Sequence, residues 1–390
     1  MSNLFRWTIK KLKLDHSIAI MFIEHERFRI WYYGTTLGII IFDRSGCIYL
    51  ASIKEIAQHA GVSQGTASIV LNGKGDQYRI SASTQQRIIE AARQLNYQPN
   101  ISARRLRSGG ETVLPIIALF WALDTRTALI SRFLKGLQHA LSSIDGEYEL
   151  LIQPYVGTKL HEVRSLITGT RYNGAIIANP TEEDEAFLDN TLLNVPIVLY
   201  QRSSTKYSSV NVDSFKTGEE VAGLFASRGH KHIGVIVPNV SSSAVRFRKE
   251  GFLAKAAELG VEVNPAHIVF SDFSERGGDE AIRQLFKNQA TPPTALFIIS
   301  DQMAVGALAA LNELGKRVPN EIEIIGHDDD EVTSYTIPTL STVHLPVEQM
   351  AEECIHLLTG LMHHRTTVPV AKMLETHIVA RNSCGGDPIE

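Results

Sequence analysis

The chain of 390 residues is long enough for two or three domains, and its 44% hydrophobic content is typical of a globular protein with sizeable cores. Its net charge of −4 hides an asymmetry, because residues 51–110 hold eight Lys and Arg against three Asp and Glu, whereas residues 111–390 hold 23 against 35. This pattern predicts a polyanion-binding head on an acidic body that has another role. Three widely spaced cysteines, Cys47, Cys354 and Cys384, exclude a disulfide framework and are read as reduced thiols in the cytoplasm.

Residues 1–50 differ from the rest of the chain. The apolar run Ile30–Phe42 spans thirteen residues, which is too short to cross a membrane. No small-residue cleavage site follows the basic residues between Arg6 and Lys13, which disfavours export. We expect this segment to be an atypical extension outside the functional fold, either disordered or translated from a start codon placed too early.

Residues 51–98 predict three short helices. Ser52 and Glu55 fit a capping box for the first helix, and Gly61 supplies a sharp turn before the Ser63 cap of the second. A third helix follows from Ser81, with its apolar residues at helical spacing. Two short helices that are joined by a glycine turn and supported by a third are helix-turn-helix geometry. The alternative, a three-helix bundle without a DNA role, is disfavoured by the local excess of positive charge.

Residues 99–110 predict a linker that contains one short helix, Asn100–Arg107. A helix of this length is marginal alone in water, so we expect it to form on binding. Its three arginines suit contacts with phosphates. Leu106 is either a surface or packing residue, or a wedge inserted into a minor-groove base step.

Residues 111–384 alternate between apolar, strand-like runs and helical stretches. The strand-like runs include Val113–Ala122, Tyr148–Gln153, Gly174–Ala178, Ile197–Tyr200, Ile233–Val237, Ile268–Ser271, Leu296–Ser300 and Ile322–Gly326. The helical stretches are Thr125–Ser143, His161–Thr168, Phe215–Arg228, Val245–Leu259, Glu280–Lys287 and Gln302–Leu314. Continuous apolar strands with helices between them indicate parallel sheets that are buried on both faces. The number of such units exceeds one domain, which predicts two doubly wound lobes with a ligand cleft beyond the carboxyl ends of the strands.

No motif for an enzyme or a cofactor stands out. The sequence has no G-x-G-x-x-G after its first strand, no Walker A pattern, no H-E-x-x-H and no nucleophile elbow. His230 and His232 have no metal-ligand spacing around them, and the acidic turn Asp328–Glu331 is read as ligand-binding or solvated. We therefore expect no cofactor, no metal and no catalysis.

The head resembles the DNA-binding headpiece of the lac repressor family. The resemblance rests on Val62–Asn72 (VSQGTASIVLN) and Leu95–Asn100 (LNYQPN), and that family's hinge helix matches residues 100–107. It places Gln64 and Gly65 at the two main base-reading positions, and Ile69 where many relatives carry an arginine. Operator choice is therefore expected to depend on Gln64, on methyl contacts of Ile69 and on DNA shape at Leu106. The implied DNA contacts are Ser63, Gln64, Gly65, Thr66, Ser68, Ile69 and Asn72 in the head, and Ala103, Arg104, Leu106 and Arg107 in the hinge.

The resemblance extends over the body, through the segments SRGHKHI (227–233), RKEGF (248–252), SDQMA (300–304), GHDD (326–329) and TLSTV (339–343). It implies a periplasmic-binding-protein-like type I fold behind an all-α headpiece. It also implies that Arg248 donates to a small sugar-like effector, that Asp328 accepts from its hydroxyls and that Phe273 stacks on its ring. The full set of implied effector contacts is Trp121, Asp124, Gln201, Arg248, Phe273, Asp301 and Asp328. Gln201 and Ser300 depart from the Asp and Asn that relatives often carry.

These observations favour a cytoplasmic, homodimeric DNA-binding regulator of carbohydrate-utilisation genes, most simply a repressor, that binds double-stranded operator DNA and no membrane. A solute-binding protein of a transport system would share the two-lobed body, but the basic head argues against it. An enzyme in the cleft and a vestigial cleft that answers to a protein partner remain open as alternatives. The sign of the effector's action is also open.

Overall fold

The computed structural model describes residues 52–71, 74–95, 97, 114–123, 127–144, 146–169, 171–191, 193, 195–287, 291–363, 365 and 369–386, together with the backbone of four strands before them. The chain divides into two units, Met1–Pro99 and Asn100–Glu390. Within the residues described, no helix combines the length and the apolar character that crossing a bilayer requires.

The four N-terminal strands pair in chain order as an antiparallel sheet. They are β1 (Thr8–Leu14), β2 (Ile18–Glu24), β3 (Phe28–Tyr33) and β4 (Ile39–Asp43). The expectation that residues 1–50 lie outside the functional fold stays a prediction.

The head folds as three helices, α1 (Ile53–His59), α2 (Gln64–Leu71) and α3 (Ala82–Gln94). The capping box is present at α1, where Ser52 accepts from the Glu55 amide and the Glu55 carboxylate accepts from the Ser52 amide. Gly61 adopts φ +63° in the turn between α1 and α2. The apolar faces of the helices meet in one small core, whose fully buried side chains include Ile56, Ala67 and Ile88. The three helices predicted for the head are therefore confirmed. They were predictable because the capping and turn residues that define them lie close together in the sequence.

The second unit alternates strands and helices along the chain. Its strands are β5 (Ile116–Ala122), β6 (Glu149–Tyr155), β7 (Gly174–Ala178), β8 (Ile197–Tyr200), β9 (Ser208–Val212), β10 (Ile233–Pro238), β11 (Ile268–Ser271), β12 (Ala295–Ile298), β13 (Glu323–Asp328), β14 (Ser341–His344), β15 (Ala371–Leu374) and β16 (His377–Val379). Its helices are α4 (Thr127–Ser143), α5 (Arg164–Thr168), α6 (Glu182–Asn190), α7 (Ser214–Ser227), α8 (Ser243–Glu258), α9 (Glu275–Phe286), α10 (Asp301–Glu313) and α11 (Val347–Met362).

These elements build two lobes, each around a six-stranded sheet. The N-terminal lobe has the strand order β15-β9-β8-β7-β5-β6, and the C-terminal lobe has the order β11-β10-β12-β13-β14-β16. All neighbours are parallel except β14 and β16. Each sheet has an apolar core on both faces, as continuous apolar strands require. The predicted pair of doubly wound lobes is confirmed.

Some elements differ from the sequence-based expectation. The helix expected at Glu280–Lys287 begins at Glu275, because Ser274 caps it by accepting from the Gly277 amide. The helix expected at His161–Thr168 is a 3₁₀ turn followed by the short α5. Strand β9 and helix α6 were not predicted. The sequence of β9, SSVNV, is polar, and the strand forms because it is buried in the lobe. The sequence of α6, EEDEAFLDN, carries few apolar residues, and a capping box of Thr181 and Asp184 starts the helix.

Candidate functional site

Helix α2 presents the polar face that the sequence predicted. Ala67 and Val70 are buried against the rest of the head, whereas Gln64 and Gly65 are exposed at the first turn and Ile69 is half-buried. A Cβ at position 65 would have only the Ser63 hydroxyl within 4 Å, at 3.8 Å, so the surface beside Gln64 is open. The outer surface of the helix therefore consists of the amide side chain of Gln64, the backbone at Gly65 and the aliphatic side chain of Ile69.

The hydroxyls at the start of α2 are partly used within the head. Ser63 Oγ accepts from the Thr66 amide at 3.1 Å and lies 2.8 Å from the Thr66 hydroxyl. This is an N-cap, which satisfies one of the free amides of the first turn. Ser63 and Thr66 consequently fix the start of α2, in addition to being predicted contacts with DNA. Several other predicted contacts lie outside the described residues: Asn72, Ala103, Arg104, Leu106, Arg107 and, in the body, Asp124.

In the body, the structure brings four predicted effector contacts into one cleft between the lobes. Gln201, Arg248, Phe273 and Asp328 all line it, and they come from both lobes. Gln201 follows β8, and Asp328 ends β13, so both stand at the carboxyl edge of a parallel sheet, where open α/β sheets bind their ligands. Arg248 reaches the cleft from α8 and is only 5% exposed.

The backbone at the cleft is held in unusual conformations. Gln201, Asp328 and Asp329 have φ values of +57°, +120° and +57°, which L-residues rarely adopt. Such conformations cost free energy and occur most often at functional sites. Asp301, completely buried, supports the turn after β13, because one carboxylate oxygen accepts from the Asp330 amide and the other from the Thr342 hydroxyl.

Burial and the neighbouring Asp328 raise the pKa of Asp301 well above its ordinary value. Gly326 is required beside it, since a Cβ there would lie 2.1 Å from Asp301 Oδ1. Asp301 is thus placed to hold the ligand-facing turn and does not itself line the cleft. Trp121 does not line it either, because its ring packs in the core of the N-terminal lobe against Phe133 and Tyr200.

The cleft residues that the sequence analysis missed include Asn179, Arg202 and Ser242. Asn179 is 6% exposed, has φ +54°, and its side-chain nitrogen has no hydrogen-bond partner among the described residues. A buried donor of this kind that lines a cleft is available to a ligand or to a water molecule. Asn179 directly follows the predicted strand Gly174–Ala178, so the rule that ligands lie beyond strand ends could have identified it.

A set of polar contacts closes the mouth of the cleft, and we call them the mouth contacts. The first joins Arg202 Nη2 to Ser242 Oγ at 2.9 Å, the second Ser243 Oγ to Glu185 Oε1 at 2.9 Å, and the third Arg246 Nε to Glu182 Oε1 at 3.0 Å. In each, one partner belongs to the N-terminal lobe and the other to the start of α8. They therefore stabilise the closed arrangement of the lobes.

A second cross-lobe cluster lies where the chain passes between the lobes. Arg132 of α4 donates to the carbonyl of Asp328 at 2.7 Å and forms an ion pair with Glu348 at 3.0 Å. Its guanidinium also lies 3.5 Å from Asp330. Because Asp328 lines the cleft, Arg132 connects the N-terminal lobe to the same turn that faces a ligand.

The closed cleft has two compartments. The inner one, around Arg248 and Asp328, holds a free volume of about 10 Å³, and the outer one, beyond Asn179 and Arg202, about 250 Å³. The outer compartment has room for about eight water molecules at ~30 Å³ each, the scale of a small sugar. The arrangement suits a hydroxylated ligand held by the amide of Asn179 and the aromatic ring of Phe273.

Comparison with known proteins agrees with this architecture. Residues 52–100 match the model of the bacterial regulatory proteins of the lacI family, and residues 222–384 match that of a periplasmic binding protein-like domain. The probable HTH-type transcriptional repressor ExuR of Bacillus subtilis (strain 168) is 28% identical over 337 residues, which are 86% of this chain and 98% of ExuR.

Solved structures give the same result. A LacI family transcription regulator from Clostridium acetobutylicum is 34% identical with a TM-score of 0.65, over 69% of this chain and 100% of that one. The complex of the transcriptional regulator CelR with cellobiose is 26% identical with a TM-score of 0.62, over 85% and 99%. A helix-turn-helix head and a two-lobed body with a ligand cleft define a ligand-responsive DNA-binding protein. The chain belongs to the lacI family of bacterial regulatory proteins.

Proposed function

We propose that the chain is a cytoplasmic, homodimeric repressor of carbohydrate-utilisation genes whose operator affinity changes when a small sugar-like effector binds in the cleft. The observation that carries the proposal is the exposed start of α2, opposite a buried apolar face, in a positively charged head. The names of relatives such as ExuR, a probable repressor, support the repressor role. We propose that the cleft binds the effector and catalyses no reaction.

The head would read DNA with few side chains. The Gln64 amide can donate to and accept from the edge of adenine in the major groove, and Ile69 can contact a thymine methyl group. Gly65 contributes no side chain, so the base-reading surface is small. We propose that the hinge residues supply the remainder, with Leu106 entering a minor-groove step and Arg104 binding phosphates.

The effector is proposed to bind in the outer compartment, beside Asn179 and Phe273, with hydroxyl groups directed at Arg248 and Asp328 of the inner one. Arg248 and Asp328 provide a donor and an acceptor for hydroxyl groups, and Phe273 provides an apolar face for a ring. The CelR relative was solved with cellobiose, which supports a saccharide as the class of ligand. Because the lining comes from both lobes, a ligand that binds there changes the balance between open and closed forms, and a coupling of ~1–3 kcal/mol would suffice for regulation.

A second copy of the chain is the proposed partner of an apolar surface on the C-terminal lobe. Tyr335 is 75% exposed and Ile337 is 93% exposed, and Val332 beside them is 46% exposed. A two-fold dimer buries the same patch on both copies and presents two heads to two half-sites about one helical turn apart. The two heads then bind DNA together, which offsets the low affinity of each head alone.

Selection of DNA from a pool of random duplexes tests the proposal. The full chain is incubated with the pool, bound duplexes are recovered and sequenced, and the selected duplex is titrated at several salt concentrations. We expect a two-fold symmetric site and an affinity that falls steeply with salt. Recovery of no enriched sequence, together with no salt-dependent binding, would contradict the proposal and favour the solute-binding alternative.

A further inference from the structure

The outer compartment of the cleft has a lining that contains no acidic side chain among the described residues. Its polar members are Thr158, Asn179, Thr181, Arg202, Ser241 and Ser242. The remaining lining residues are apolar or glycine. Arg202 is therefore the one charged side chain in this part of the described structure, whereas the inner compartment has a carboxylate, that of Asp328, to balance Arg248.

Two acids beside the outer compartment already have partners. Glu185 pairs with Nε of Arg202 at 2.7 Å, whereas Nη2 of the same guanidinium donates to Ser242 of the lining at 2.9 Å. Asp184, 1% exposed, accepts from the amide of Thr158 at 3.1 Å. Burial raises the pKa of Glu185 above its ordinary value, because the ionised carboxylate is poorly solvated there. An anionic ligand would therefore meet no acidic side chain in the described lining.

Two hydrogen-bond donors in the lining are available to a ligand. Asn179, 6% exposed, has a side-chain nitrogen without a hydrogen-bond partner among the described residues. Ser242 Oγ accepts from Arg202 Nη2 at 2.9 Å and from the Val245 amide at 3.5 Å, so its lone pairs are used and its proton is left to donate. A carboxylate or phosphate oxygen only accepts, whereas the hydroxyl of a neutral sugar also has a proton to donate. These donors therefore favour an anionic group.

The start of α8 adds a positive electrostatic potential at the same place. Helix α8 has 16 residues, its N-cap is Ser242, and its first turn carries no acidic residue. Ser242, Ala244 and Val245 all line the cleft, so the N-terminal end of the helix faces it. The free amides and the dipole at such an end favour an anion. Helix α6 also starts at the lining, but its own Asp184 already accepts from the Thr181 amide there.

We propose that the effector is an acidic monosaccharide, whose anionic group, a carboxylate or a phosphate, binds in the outer compartment to Asn179 and Ser242 at the start of α8. This rests on the proposed function and names the chemical class of its effector. The sugar ring lies against Phe273, and its hydroxyl groups point to Arg248 and Asp328 of the inner compartment. The volume of about 250 Å³ accommodates one sugar ring with its acidic group.

Matched pairs of sugars test the class of effector by calorimetric titration of the full chain at neutral pH. The probes are D-galacturonate with D-galactose and D-glucuronate with D-glucose, which differ only at C6, together with the 6-phosphates of both neutral sugars. We expect the acidic member of at least one pair to bind about tenfold more tightly than the neutral one, because hydrogen bonds to a charged acceptor are the stronger ones. Tighter binding of the uronate than of the 6-phosphate assigns a carboxylate, and the reverse order assigns a phosphate. Equal affinity within every pair, or no binding of any acid, would overturn the proposal.

Asn179→Asp is the most informative variant, because it replaces the donor amide with a carboxylate of the same shape. Aspartate, like asparagine, tolerates the φ of +54° at this position. We expect the preference for the acidic member of the pair to disappear or to reverse. Asn190→Asp is the matched control, since Asn190 is exposed at the end of α6 in the same lobe and the variant adds the same charge. The native preference in Asn179→Asp, or an equal loss in Asn190→Asp, would contradict the assignment.

Asn179→Gly separates the lost donor from a loss of folding. Glycine adopts positive φ without steric cost, so the melting temperature should stay near that of the native chain. We expect the affinity for the acidic sugar to fall about tenfold, as for the loss of a hydrogen bond to a charged group. A folded Asn179→Gly that binds the acid as tightly as the native chain would remove Asn179 from the site.

The proposed function and the class of effector fail in different ways. If the native chain binds no duplex, the DNA-binding function fails whichever sugars bind. If the native chain binds its selected duplex and responds to a neutral sugar but to none of the acids, only the acidic class of effector is refuted.

Discussion

We expect the mouth contacts to stabilise the closed form of the two lobes, and the variant Ser243→Ala tests this by removing one of them. Ser243 is the first residue of α8, its hydroxyl donates to Glu185 across the cleft, and the N-cap of the helix is its neighbour Ser242. Alanine is the best helix former, so the variant removes a cross-lobe hydrogen bond and leaves the helix intact. Only the closed form of the two lobes should lose free energy.

The free energy lost in Ser243→Ala can be estimated from the charge and the exposure of Glu185, the hydrogen-bond partner of Ser243. A hydrogen bond to a charged group contributes about 1.5–3 kcal/mol, and a partly exposed carboxylate reduces this to about 1 kcal/mol. Glu185 is 23% exposed at its side chain and also pairs with Arg202 at 2.7 Å. A loss of about 1 kcal/mol lowers the ratio of closed to open forms about fivefold.

Glu182→Gln is the matched control at the same mouth. Its partner Arg246 and Glu182 itself are 45% and 44% exposed, so the ion pair contributes ~0.5 kcal/mol or less. Spin labels on α6 and α8 report the distance between the lobes by pulsed electron resonance without any effector. We expect Ser243→Ala to increase the long-distance population clearly and Glu182→Gln to change it at most twofold. An unchanged distribution for Ser243→Ala, or a larger effect of Glu182→Gln, would refute the reasoning.

Three other predictions concern the cleft, the turn behind it and the dimer. Arg248→Ala should abolish the change in operator affinity caused by effector and leave effector-free affinity intact; a normal response in a DNA-binding titration would remove Arg248 from the site. Burial and Asp328 raise the pKa of Asp330 to about 6, so its contribution to stability is present at low pH and is lost as pH rises through that value. The unfolding free energy of the native chain should therefore fall by about 2–3 kcal/mol between about pH 4 and 7, and Asp330→Asn should remove this fall. A pH profile in chemical denaturation that is the same for the variant and the native chain would contradict this. Ile337→Asp should shift the chain from dimer to monomer in analytical ultracentrifugation, and an intact dimer would place the interface elsewhere.

The head was predictable from sequence because its signals are short-range. The capping box of Ser52 and Glu55 involves residues three apart. The buried apolar residues within one helix, such as Ile88, Ala91 and Ala92 of α3, recur at helical spacing. The alternation of apolar strands and helices likewise sufficed for the two lobes. Helix α6 escaped prediction because its apolar content is low, although Thr181 and Asp184 form a capping box at its start that was a local signal.

The cleft was predictable only in part. The resemblance identified Gln201, Arg248, Phe273 and Asp328, which the structure brings together. Trp121 was expected there as well, but alternate side chains of a strand face opposite sides of the sheet, and its ring packs in the core beside Tyr200. A single sequence does not show which side chains of a strand that is buried on both faces point toward the cleft and which point into the core.

The contacts across the cleft mouth could not be read from the sequence either. They join residues about forty to sixty positions apart, such as Ser243 and Glu185, whose proximity exists only after both lobes have formed. Asn179 was missed for a different reason, because its place directly after β7 was visible and the rule on strand ends was not applied there.

The claim that α2 reads DNA bases is tested most directly by repeating the DNA selection with Gln64→Ala. Gln86→Ala, which removes an exposed amide from α3 of the same head, serves as the control. We predict that Gln64→Ala loses the base preference at one symmetric pair of positions in the selected site, whereas Gln86→Ala selects the native site. If Gln64→Ala selects the same sequence with the same stringency as the native chain, α2 does not read bases and the account is wrong.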